Sequence, residues 1–93
     1  MKRFIAAALL LLAPAARAAW SPPDIAAYVE RRKACNHWGG EEPYDKARLA
    51  EINRAVAKLN CGALDTDEKT LLRRYRSTPA LGKRIRAAKD ALL

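Results

Sequence analysis

The chain has 93 residues, a formal net charge of +8, two cysteines and one histidine. It contains no internal repeat and no low-complexity linker, so we expect a single domain. With one histidine, Ser-His-Asp or Cys-His catalysis would depend on that residue alone, and no convincing catalytic constellation surrounds it. We therefore predict that the protein is not an enzyme and carries no cofactor.

Residues 1–18 have the pattern of a secretory signal peptide. Two basic side chains near the start precede an unbroken apolar run at residues 4–12. This run is too short to span a bilayer, which takes about 20 residues, but it matches an h-region of about 7–15 residues. Small side chains of the A-x-A type follow it, so we predict cleavage between Ala18 and Ala19.

The predicted mature domain, residues 19–93, is small and basic. Loss of three basic residues with the signal peptide would leave 15 basic and 10 acidic residues, a net charge of +5. One hydrophobic core in a domain of this size contributes only about 3–5 kcal/mol, so we expect a covalent cross-link. Export to the periplasm or the medium would place the domain in an oxidising compartment.

Cys35 and Cys61 are the candidates for that cross-link. We predict a disulfide that closes a loop of about 25 residues, which the chain-entropy model values between about 3 and 4.7 kcal/mol. A metal-bound thiolate pair and two reactive free thiols are the alternatives.

The apolar spacing of the mature chain is helical throughout and predicts an all-α fold, a small bundle of about four short helices. The first helix is predicted to begin at Ser21 as N-cap, with Pro22 at the first helical position and Asp24 in a capping-box arrangement. It is predicted to end near Cys35. Its expected buried residues are Ile25, Tyr28 and Val29.

Residues 36–44 contain two glycines and a proline, which predict a loop. Asp45 is the predicted N-cap of the second helix, which would hold Cys61 at its C-terminal end, and Gly62 its left-handed C-terminal cap. The apolar stripe of this helix is expected to comprise Leu49, Ile52, Val56 and Leu59.

The third helix is predicted to open at Asp65 or Thr66, with acidic residues in its first turn. Thr78 and Pro79 mark the start of the fourth helix, which is expected to run to the chain end. The predicted buried sides are Leu71, Leu72 and Tyr75 in the third helix, and Leu81, Ile85, Ala88 and Leu92 in the fourth.

One stretch carries a resemblance, and its residues are Cys35, His37, Trp38, Gly40, Glu41, Pro43, Tyr44 and Asp45, followed by Cys61 and Gly62. It resembles a pattern in small exported proteobacterial proteins, approximately Cys-x-His-aromatic-x-Gly-Glu-x-x-Tyr-Asp with a second cysteine downstream. The resemblance implies a shared helical fold closed by a disulfide and supplies no chemistry.

Three interpretations of this stretch stay open. In the structural one, Trp38 and Tyr44 pack over the helix ends while His37 bonds to the backbone. In the second, imidazole and carboxylates bind a metal, and in the third, paired carboxylates catalyse acid–base chemistry. The residues of possible function are His37, Trp38, Gly40, Glu41, Tyr44 and Asp45. Glu42 is a further candidate carboxylate in the second and third interpretations.

The segment 69–89 is strongly basic and contains no acidic residue. Its predicted partner is a protein or an anionic envelope component, although the charges could simply form a solvated face. Nucleic acid is disfavoured as a partner because the only aromatic residue of this segment, Tyr75, lies on the predicted core side. Stable membrane insertion is disfavoured because helix four has no Trp or Phe to anchor it in lipid. The candidate binding residues are Lys69, Arg73, Arg74, Arg76, Lys83, Arg84, Arg86 and Lys89.

The sequence thus predicts an exported, non-enzymatic helical protein with a binding or structural role. The alternative is a small metal-binding or catalytic protein centred on His37.

Overall fold

The computed structural model describes residues 21–91. They form four α-helices: α1 (Pro23–Gly39), α2 (Lys46–Lys58), α3 (Leu64–Arg74) and α4 (Pro79–Ala87). Two 3₁₀ turns follow α2 and α4, at Cys61–Ala63 and Ala88–Asp90, and no strand occurs between residues 21 and 91. The all-α prediction is confirmed. The predicted signal peptide, its cleavage site and Leu92 lie outside the described residues.

The start of α1 differs from the prediction. Pro22 is the N-cap in place of Ser21, whose hydroxyl instead accepts a hydrogen bond from the guanidinium of Arg84. Asp24 does not form a capping box, because its Oδ1 accepts from the N–H of Ile25, the next residue, at 2.8 Å. The proline N-cap thus leaves both polar side chains available to other partners.

The end of α1 also differs, because the helix continues through His37 to Gly39 instead of ending near Cys35. Nothing in residues 36–38 breaks a helix. The first glycine is its last residue, and the N–H of Gly40 bonds to the carbonyls of Asn36 and His37. The predicted loop is therefore wrong for its first four residues, and the connection to α2 is correspondingly short.

The N-cap predicted for α2 is confirmed, whereas the burial predicted for its apolar stripe is only partly correct. Asp45 is the N-cap, as predicted, and its carboxylate accepts a hydrogen bond from the N–H of Arg48 at 2.8 Å. Ile52 is buried, but the predicted burial of Leu49 is wrong because its exposed fraction is 44%. The described elements that α2 contacts are α1 and the first 3₁₀ turn, so only a narrow stripe of α2 is covered. The half-buried members of the stripe are Val56 and Leu59.

Asn60, and not Gly62, adopts the left-handed conformation after α2, with φ 54° and ψ 50°. Asparagine is one of the few non-glycine residues that tolerate this region, because its short amide bonds locally. Gly62 lies in the following 3₁₀ turn beside Cys61, which therefore sits just beyond α2. The two cysteines form the predicted disulfide, with Cys35 Cα 5.7 Å from Cys61 Cα, and neither thiol is free.

The two C-terminal helices form an antiparallel hairpin. α3 begins at Leu64, one residue before the prediction, with two aspartates in its first turn, and α4 begins at Pro79 as predicted. α4 ends at Ala87 and gives way to the 3₁₀ turn Ala88–Asp90, so the predicted α-helix is interrupted before Ala91. The amide of Asn36 on α1 donates to the carbonyls of Lys89 and Ala91, at 3.0 and 2.8 Å, and so satisfies acceptors that the helix leaves open.

The core lies where α1 crosses this hairpin. Ile25 and Ile85 are fully buried, and Gly82 is buried at the close approach of α4 to α3. A Cβ built at Gly82 would lie 3.8 Å from Leu72 Cδ2. The other buried apolar members of this core are Tyr28, Cys35, Leu64, Leu71 and Ala88, so the predictions for Tyr28, Leu71 and Ala88 are confirmed.

One charged side chain is buried with them. Arg32 is 7% exposed, and its Nε and Nη2 donate to the hydroxyl of Tyr28 at 3.1 and 2.9 Å. Its Nη2 also reaches Asp65 Oδ1 at 3.3 Å, so the buried charge is paired and links α1 to α3.

Candidate anion-binding face

The eight basic residues of the segment 69–89 fall into two groups. Three contact residues outside their own helix or turn. Arg74 Nη1 lies 2.6 Å from Asp24 Oδ2, Lys89 Nζ lies 3.9 Å from Glu68 Oε1, and Arg84 donates to the Ser21 hydroxyl. These three cations hold α3, α4 and the last turn against their neighbours.

The other five are exposed and form no ion pair with residues 21–91. Helical spacing places Lys69 and Arg73, four residues apart, on one side of α3, and Lys83 and Arg86, three apart, on one side of α4. Arg76 lies in the turn that follows α3. Because the two helices are antiparallel neighbours, both sets flank the same hairpin. We call this set the basic face, and it comprises Lys69, Arg73, Arg76, Lys83 and Arg86.

A groove of about 230 Å³ runs between α3 and α4 through the basic face. Arg76 and Arg86 line it together with the side chains of Leu72 and Thr78. A Cβ built at Gly82 would lie 3.4 Å from Arg86 Nη1, so this guanidinium lies over the glycine. The groove therefore joins an apolar base to two cationic walls.

Tyr75 also lines the groove, but its hydroxyl is engaged by a carboxylate on α1. It donates to Asp24 Oδ1 at 2.7 Å, while Arg74 donates to Oδ2 of the same carboxylate. The hydrogen bond from Tyr75, then those from Arg74 and the backbone of Ile25, lower the pKa of Asp24, and partial burial opposes them. The same hydrogen bond raises the pKa of Tyr75. This network fixes the end of α3 against the start of α1.

Asp24 should therefore give the fold a pH-dependent part of its stability. A carboxyl whose folded pKa is depressed stabilises the fold above its unfolded pKa, about 3.9, and loses that contribution as pH falls through the folded pKa. We expect Asp24→Asn to lower the melting temperature near neutral pH and to differ less from wild type below about pH 3. Thermal unfolding from neutral to acid pH, with Asp90→Asn at an exposed position as control, measures this. A difference between wild type and Asp24→Asn that stays constant across the pH range would contradict the assignment.

The stretch shared with the resemblance has a different geometry from the one predicted. His37 and Trp38 lie on the last turns of α1, and Tyr44 is 81% exposed, so the prediction that Tyr44 packs over the helix ends is wrong. The guanidinium carbon of Arg48 lies 5.1 Å from the Trp38 ring centroid, and Arg48 also pairs with Glu41. The stretch is thus held by an arginine on α2, which the sequence did not single out.

His37 is half-exposed, and its Nε2 lies 3.6 Å from Glu41 Oε2. The carboxylate of Glu41 is already occupied, because it accepts a hydrogen bond from Arg48. This hydrogen bond and the charge of Arg48 lower the pKa of Glu41. No group of three histidine, cysteine, aspartate or glutamate side chains between residues 21 and 91 is arranged to hold a metal ion. A metal or acid–base role for His37 would have to compete with this ion pair.

No protein-family model matches the chain, and no curated protein or solved structure matches it significantly. The resemblance drawn from residues 35–62 therefore stays a prediction. Within the described part of the chain, no helix combines the length and the apolar character needed to cross a membrane.

Proposed function

We propose that this protein is an exported, non-enzymatic binding module, periplasmic or secreted, whose basic face holds an anionic component of the cell envelope. The observation that carries the proposal is the separation of the cations. Three of the eight contact residues outside their own helix or turn, whereas the five of the basic face are exposed without an ion pair from residues 21–91.

Charges of one sign that are held close together raise the local potential and attract ions of the opposite sign. The basic face has no carboxylate of its own segment to offset it, because residues 69–89 contain none. An anionic surface would supply the missing charge, with steering that weakens as salt increases.

The compartment is part of the proposal. A disulfide is typical of oxidising compartments such as the periplasm and the extracellular medium, and the predicted signal peptide would direct the chain there. The alternative centred on His37 has less support, because Arg48 already neutralises the neighbouring carboxylate of Glu41.

The test compares two variants with the same loss of charge. One replaces four residues of the basic face by glutamine, and the matched control replaces four basic residues of α1 and α2. We expect the first to lose at least about tenfold in binding to vesicles of phosphatidylcholine with phosphatidylglycerol at low salt, since each basic residue near such a surface contributes about 1 kcal/mol. The substitutions are Arg73→Gln, Arg76→Gln, Lys83→Gln and Arg86→Gln, against Lys33→Gln, Lys46→Gln, Arg54→Gln and Lys58→Gln.

Co-sedimentation at low and moderate salt gives the readout, and circular dichroism checks that both variants remain helical. Exposed charge substitutions change stability by less than about 0.5 kcal/mol each, so folding should be retained. The proposal fails if wild type and the basic-face variant sediment alike. It also fails if the control loses as much binding, because net charge alone would then account for the effect.

A further inference from the structure

The groove in the basic face differs in its charge from two other grooves formed by residues 21–91. A groove of about 310 Å³ between α1 and α3 is lined by Asp24 and Asp67 beside its arginines, and one of about 360 Å³ between α1 and α4 is lined by Glu30. The groove between α3 and α4 is lined by two arginines and no carboxylate. Of the three, it alone would accept an anion without repulsion from its own walls.

The guanidinium groups of the two arginines restrict which anions fit the groove. A guanidinium presents its N–H groups as a planar fork that binds two oxygens at once. Arg86 lies on α4 and Arg76 lies in the turn that joins α3 to α4, so one anion between them must offer oxygen pairs in more than one direction. A planar carboxylate offers one such edge, whereas a tetrahedral phosphate offers several. The Thr78 hydroxyl, which caps no helix N–H, adds a neutral donor at the same groove.

The volume of the groove also favours a single phosphate group. Sites for drug-sized ligands occupy about 300–1,000 Å³, and this groove measures about 230 Å³. It therefore suits a single phosphate and its nearest atoms and leaves any acyl chain or larger body outside. A monoester carries close to two negative charges at neutral pH, which matches the two guanidinium groups better than a singly charged diester.

We propose that the groove between Arg76 and Arg86 is a binding site for a phosphate monoester, carried either on an envelope lipid or on a small soluble molecule. This inference rests on the proposed function, since it names the ligand chemistry of the basic face. The other residues of the face supply general attraction, and the two groove arginines supply the selectivity.

The experiment replaces arginine with lysine, which keeps the positive charge but removes the planar guanidinium that can bind two oxygens at once. Arg76→Lys with Arg86→Lys is compared with wild type and with a control, Arg54→Lys on α2, which lies outside both the groove and the basic face. Binding is measured by co-sedimentation with phosphatidylcholine vesicles that carry either phosphatidic acid, a monoester, or phosphatidylglycerol, a diester, at equal surface charge. We expect wild type and the control to prefer the monoester by about fivefold, and the groove variant to lose that preference while it still binds both vesicles.

Glycerol phosphate added at constant ionic strength identifies the source of the ligand. Release of wild type from the monoester vesicles would indicate a site open to soluble monoesters, and retention would indicate that the lipid-borne phosphate is needed. The inference is overturned if wild type binds both vesicles equally, or if the groove variant keeps the preference. Those results leave the proposed function standing, whereas failure of wild type to bind either vesicle removes both.

Discussion

Removal of the disulfide is expected to cost the domain about 3–4 kcal/mol of its free energy of unfolding. The bridge joins residues 26 positions apart, and the closed loop restricts the unfolded chain far more than the folded one. Cys35 is also buried in the core, so the bond ties a core residue to the turn after α2. Because a core of this size contributes only about 3–5 kcal/mol, the domain without its bridge should be largely unfolded near 37 °C.

The measurement is urea unfolding followed by circular dichroism for wild type and for Cys35→Ala with Cys61→Ala. Alanine avoids placing a new hydroxyl in the core. Wild type treated with a reductant should resemble the double variant, and the reductant should leave the double variant unchanged. Unfolding midpoints that agree for all of these samples would show that the bridge contributes nothing.

Truncation of Ile85 should produce the other large effect, a loss of about 2–5 kcal/mol for Ile85→Ala. This side chain is fully buried between α4 and α1, so its removal takes apolar atoms out of the core and leaves a cavity. The informative control is Leu49→Ala in α2. Helical spacing gave both residues as buried, but Leu49 is 44% exposed and its truncation should cost less than about 1 kcal/mol.

The urea midpoints of the two variants test whether Leu49 is buried, as the helical spacing predicts, or exposed, as in the structure. An Ile85→Ala protein that does not fold satisfies the expectation, provided that Leu49→Ala unfolds close to wild type. Similar losses for both variants would contradict the packing described for α2.

The number and order of the helices followed from local signals. Period 3.6 in the apolar residues, the carboxylate of Asp45 at a helix start and Pro79 in a first turn act within a few residues, and each was confirmed. Burial was harder to predict, because the apolar stripe identifies which side of α2 faces the domain but not how many neighbours cover it. Leu49 lies on that stripe and is exposed for this reason.

The helix ends and the candidate site show a second limit. Glycine permits a helix to stop but does not fix where, so α1 continues to Gly39 although the sequence predicts a loop from residue 36. The partners of the cations could not be predicted either. Arg74 and Asp24 are 50 residues apart in the sequence, and only the tertiary structure brings them together. The sequence therefore identifies the basic segment but not the five residues that stay exposed without an ion pair from residues 21–91.

The narrow packing of α2, whose described neighbours are α1 and the first 3₁₀ turn, has a consequence for how the domain opens. An element that buries little surface separates at a lower free energy than the rest, as a local cooperative unit. All of α2 lies inside the covalent ring closed by Cys35 and Cys61, so when it detaches it stays tethered at both ends and can redock quickly. The hairpin of α3 and α4 stays packed on α1 during such an opening. Local detachment of α2 therefore leaves the hairpin of α3 and α4 intact.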